Sequence, residues 1–183
     1  MKNKSQNYLL YKIEELLSLR EPEFINKKLN NLLLLIDKFK NSAIMEFIFG
    51  IVLVLLSTTL GLIIVYHPDK ILPTCGGNCG TFYNIINGFV PMVIAFIFIF
   101  SIYTLIKTIF VISNLERAKS IIELNLIELT HLTNDKENYK FKLYSLLKLL
   151  LSVLDFSETS LIKFLKSNSP REIDKIMKKL VNL

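Results

Sequence analysis

The chain has no tryptophan, only two histidines and two cysteines, and few glycines and prolines (6 and 5 in 183 residues). Each scarcity removes a class of protein. His67 and His131 stand alone, with no H-E-x-x-H, no Ser/His/Asp or Cys/His grouping and no Gly-rich phosphate loop around them. Conventional catalysis is not expected, nor is a resident metal or cofactor, because each of those chemistries needs such a constellation. Little glycine and proline means few chain reversals, which excludes a turn-rich β architecture and favours long helices. Arginine is also rare, 3 against 19 lysines, and the lysines are interspersed with carboxylates as on solvated faces. Despite the net charge of +6, no nucleic-acid partner is expected.

What the chain does have is leucine, isoleucine and phenylalanine in clusters, giving a mean hydropathy of +0.43. FIFGIVLVLLSTTLGLIIVY, residues 47–66, holds no charge and no proline. A helix of that length spans the ~30 Å hydrocarbon core of a bilayer. A second run at about 88–107, GFVPMVIAFIFIFSIYTLIK, places Pro91 in its expected first turn and Lys107 at its end, where the ammonium can snorkel to an interface. The expected fold is an all-α membrane protein. It consists of amphipathic helices over 1–42, a two-helix transmembrane hairpin over 43–112 and a helical domain over 113–183.

Basic residues set the expected orientation. Residues 1–46 carry eight Lys/Arg, the loop 67–87 carries only Lys70, and thirteen follow from Lys107 onward. The positive-inside rule then puts both termini in the cytoplasm and the loop outside, in an inner (plasma) membrane. No cleavable signal peptide is expected, since the chain starts polar and lacks a small-residue cleavage site. The external loop holds Cys75-Gly-Gly-Asn-Cys79. Three readings stay open: a structural disulfide, within the loop or between copies; free thiols; or a metal or redox role. An oxidising compartment favours the first.

In the cytoplasmic parts, a helix over 5–20 and another over 22–40 are separated at Glu21-Pro22, with Leu29, Leu32 and Ile36 on an apolar stripe of the second. The second helix can lie on anionic headgroups or pack on the C-terminal part. Asn134 with Glu137 and Asp155 with Glu158 have capping-box spacing, and Ser169-Pro170-Arg171-Glu172 opens an expected last helix at 171–182. The stretch 141–154 is apolar around most of its circumference, which demands burial by a bundle or an oligomer.

Within the spans, Gly50, Ser57 and Gly61 recur at helix-packing spacing. Ser101, Thr104 and Lys107, with Phe96 and Phe100, are candidate pore-lining or gating residues. The alternative is that these stripes are packing contacts. The layout of a soluble helix pair, a two-helix hairpin and a helical tail in under 200 residues resembles the SLATT-type two-transmembrane effectors of bacterial antiphage systems. That resemblance is one of topology and carries no residue role. It implies an oligomeric, pore-forming or membrane-perturbing effector in antiviral defence, partnered by lipid bilayer, by further copies and by a cytoplasmic protein or nucleotide-linked sensor. The other expectation is a non-conducting anchor or accessory subunit of a larger membrane complex.

Overall fold

A computed structural model describes residues 2–67, 81–154 and 157–166. The described residues form five helices and no strand: α1 (Lys2–Leu19), α2 (Pro22–Tyr66), α3 (Thr81–His131), α4 (Lys136–Leu154) and α5 (Glu158–Lys166). The cysteine pair and the helix expected at 171–182 lie outside the described residues.

Local chemistry sets the boundaries. Pro22 occupies the first position of α2, where its missing N–H is no loss, and the Glu21 carbonyl accepts from the Ile25 N–H at 3.3 Å. No glycine or proline interrupts the chain from there to Gly50, so the helices expected at 22–40 and 47–66 are one helix of 45 residues. The caps differ from the expected ones by one or two positions. Asp135 caps α4, its carboxylate accepting from the Asn138 N–H at 3.2 Å and from the Asn138 side chain at 2.6 Å. Ser157 caps α5, its Oγ accepting from the Ser160 N–H at 3.2 Å. In both cases the side chain three residues before the satisfied N–H takes the role, as capping geometry requires.

The chain divides into two compact units. The described residues up to Ser42 and from Val111 onward form a helical bundle. Its core takes Leu9, Ile13 and Leu16 from α1; Ile25, Leu29, Leu32 and Ile36 from α2; Leu115, Ala118, Ile122 and Leu129 from α3. The largest share comes from α4 (Tyr139, Leu143, Leu146, Leu147, Leu150, Leu154), and α5 adds Leu161, Ile162, Phe164 and Leu165. Each buried aliphatic side chain contributes about 1.5–3 kcal/mol relative to exposure. The stripe of α2 thus packs against the C-terminal helices. The apolar circumference of α4 is covered within one chain, with Phe141 and Leu149 left exposed, so α4 does not itself require a second copy. Tyr139 is fully buried at the head of α4, its hydroxyl within donating distance of Asn26 Oδ1 at 2.9 Å and of the Pro22 carbonyl at 3.1 Å. Burial pushes that phenol well above its ordinary range.

Ion pairs bind the helices of the bundle at its surface. Asp37 of α2 meets Lys119 of α3 at 2.8 Å, and Lys40 meets Glu116 at 2.7 Å. Glu15 of α1 accepts from Lys12 at 2.8 Å and from Lys166 of α5 at 2.6 Å, and those two hydrogen bonds draw its carboxyl down to about 2.

The second unit, Ala43–Phe110, is the pair formed by the C-terminal part of α2 and the N-terminal part of α3. Both helices are long and apolar enough to cross a membrane, with mean hydropathies of 2.7 and 2.5 over their best windows. Only 11% and 6% of those windows is buried.

Candidate functional site

The two apolar segments run antiparallel. Gly50 of α2 lies against Leu105 of α3, and Ser57, Gly61 and Val65 share a groove with Phe98, Ala95 and Pro91. The residues expected to mediate packing divide into two behaviours. At Gly50 the helices are in close contact: an added Cβ would sit 2.7 Å from Leu105 Cδ2 and 3.0 Å from its Cγ. At Gly61 an added Cβ would meet nothing within 4 Å. The difference comes from the facing side chain. Leu105 fills the space opposite Gly50, whereas Gly61 opens onto an apolar groove of about 340 Å³ between the helices.

The candidate pore-lining set is likewise divided. Ser101 is fully buried, and Thr108 and Ser57 nearly so. Their hydroxyls donate to their own helices: Ser57 to the Leu53 carbonyl at 2.8 Å, Ser101 to Ile97 at 2.7 Å, and Thr108 to Thr104 at 2.7 Å. Thr104 is half-buried and donates to the Ser101 carbonyl at 2.8 Å. Such back-bonding satisfies a hydroxyl where no water is at hand. Phe96 and Phe100 are 71% and 55% exposed, on a different face of α3 from Ser101. Lys107 is half-buried near the end of the apolar segment. Within one chain, therefore, hydroxyls and phenylalanines do not line a common surface.

Pro91 departs from its expected place. Because α3 already begins at Thr81, the proline is ten residues inside the helix rather than in its first turn. With no N–H at position 91, the Asn87 carbonyl loses its helix donor. The Asn87 side-chain Oδ1 is also buried without a hydrogen-bond partner. Asn87 thus carries two under-satisfied acceptors one turn from the groove. The four-residue spacing Asn87–Pro91 was the available signal; the early start of α3, which puts the proline in mid-helix, was not visible.

The described residues contain no cluster of three or more His, Cys, Asp or Glu able to hold a metal ion. No family model, curated protein or solved structure matches the chain.

Proposed function

We propose that the chain is a multi-pass protein of the inner (plasma) membrane. The segments of α2 and α3 at about 47–66 and 88–107 cross the bilayer, the termini and helical bundle are cytoplasmic, and the loop 67–87 is outside. The protein assembles as a homo-oligomer that acts as a pore-forming or membrane-perturbing effector, controlled by its cytoplasmic helices. The supporting observation is the uncovered apolar surface of the hairpin. Side chains such as Phe49, Leu55, Val65, Phe96 and Ile99 are exposed on it. The core helix of a soluble protein would bury most of such a segment, and lipid or other hydrophobic helices are its natural surroundings. The open groove at Gly61 supports assembly, because small residues let helices of neighbouring copies approach where lipid supplies no hydrophobic drive.

The burial of Ser57, Ser101 and Thr108 between α2 and α3 favours a second reading. A hairpin that turns these three hydroxyls inward onto its own carbonyls offers them to no pore, which suits a non-conducting anchor that recruits a partner through the bundle. One experiment separates the two: native mass measurement of the protein from mild detergent or nanodiscs, followed by ion flux from liposomes. The effector reading expects an oligomer whose flux rises in Phe96→Ala and Phe100→Ala. Gly61→Leu should weaken assembly while leaving insertion intact. A monomer rules out a pore, because two helices cannot enclose one, and an oligomer that stays tight in every variant supports the anchor.

A further inference from the structure

Six cations described in the bundle have a carboxylate partner. Lys12 and Lys166 share Glu15, and Lys40, Lys119, Lys140 and Lys142 pair with Glu116, Asp37, Glu14 and Glu128. The junction of α1 and α2 is different. The Arg20 guanidinium lies 4.6 Å from the centroid of the Phe24 ring, and Lys28 Nζ lies 5.4 Å from the same centroid. Lys27 is next in sequence. Lys28 is only 9% exposed. Among the described residues no carboxylate pairs with Arg20, Lys27 or Lys28, and the hydrogen bond from Arg20 goes to a neutral acceptor, the Lys166 carbonyl at 3.4 Å. Glu21 and Glu23 are adjacent in sequence but exposed, and neither forms an ion pair with the cluster. Burial, together with the fields of Arg20 and Lys27, pushes the Lys28 ammonium below the usual lysine range.

Arg20 and Lys28 bring two positive charges to one ring, with most of the Lys28 side chain covered and no carboxylate between them, and an anion would relieve that repulsion. We infer that Arg20 and Lys28, both set on the Phe24 ring, with the exposed Lys27 next in sequence, form a binding site for a phosphate-type oxyanion. The three side chains offer only donors: a planar fork from the guanidinium and freely rotating N–H groups from the two ammoniums. That inventory suits a ligand with several acceptor oxygens and a charge near −2 better than it suits one carboxylate. The cation–ring contacts hold Arg20 and Lys28 in place before the ligand arrives, and so reduce the ordering cost of binding. This inference is independent of whether the hairpin conducts.

The oxyanion can come from soluble phosphate or from a lipid headgroup, and the test has an arm for each. Full-length protein in phosphatidylcholine nanodiscs is unfolded thermally against increasing inorganic phosphate or pyrophosphate, with chloride matched for ionic strength. The same measurement is made without soluble phosphate in nanodiscs containing phosphatidic acid. Saturable stabilisation in the first arm assigns a soluble ligand, and stabilisation confined to the second assigns a headgroup. In either case Lys28→Met and Arg20→Gln should weaken the response at least tenfold. In the absence of phosphate, Lys28→Met should unfold at the wild-type temperature or above, since methionine covers the same core without the charge. No response above the chloride control in either arm overturns the site, as does a response undiminished in both variants.

Discussion

Gly50 and Leu105 meet so closely across the hairpin that a Cβ on the glycine would lie 2.7 Å from Leu105 Cδ2. That methyl is the end of a flexible side chain, so a single added carbon can be accommodated by a rotamer change, but a branched one cannot. Gly50→Ala is expected to cost under about 1 kcal/mol and Gly50→Val about 1–3 kcal/mol of hairpin stability, the range for overpacking a close contact. Gly61→Ala is expected to be neutral, because the space beside Gly61 is empty. Unfolding of the four proteins in one detergent, compared side by side, checks the contrast. Equal effects at the two glycines would contradict it.

Tyr139 joins the first turns of α4 and α2. In Tyr139→Phe the ring remains in the core, but Asn26 Oδ1 loses its donor while buried. The expected cost is about 1–3 kcal/mol, because an abandoned buried acceptor bears its full desolvation penalty. Replacing Asn26 by leucine as well should recover part of that loss. Denaturant unfolding of the two single variants and the double variant reads the coupling directly.

The pair of lysines on Glu15 makes a pH prediction with a definite sign. Its carboxyl is held at about 2 in the folded chain, against an ordinary value of 4.5, first by the hydrogen bond from Lys12 and then by that from Lys166. A folded value below the unfolded one means that the stabilisation is fully present above 4.5 and is lost as the pH falls toward 2. The difference in unfolding temperature between wild type and Glu15→Gln should therefore be constant from neutral pH down to about 5 and shrink below it. Because Glu15 is at the surface, high salt should reduce the difference at every pH. A difference that grows on acidification would contradict the assignment.

Much of the fold was legible because it rests on patterns that sequence carries locally. The two apolar runs, Pro22 as a helix start, and the stripe of Leu29, Leu32 and Ile36 all have the structure that their neighbours imply. What was not legible depends on partners distant in sequence. Gly50 and Gly61 are the same residue at compatible spacing, and only the rotation of α3 decides that Leu105 faces one and a groove faces the other. Ser101 and Phe100 are adjacent in sequence, yet one is buried against α2 and the other is exposed. The surplus apolar surface of α4 pointed equally to a bundle or to an oligomer, because both bury leucine by the same physics. Five helices of a single chain proved sufficient. The cluster at Arg20, Phe24 and Lys28 was hidden for a simpler reason: a lysine among lysines reads as solvated until its burial and its lack of a carboxylate are seen.

The account stands on the hairpin crossing a membrane with its loop outside, and the chain supplies its own probes. Its only cysteines, Cys75 and Cys79, are both in that loop. Intact cells expressing the protein are treated with a mild impermeant reductant and then with an impermeant maleimide, with a second sample labelled after lysis. The expected result is full labelling of the loop in intact cells, with no increase on lysis. Protection in intact cells followed by labelling only after lysis would place the loop inside, contradicting the orientation on which control by a cytoplasmic bundle depends.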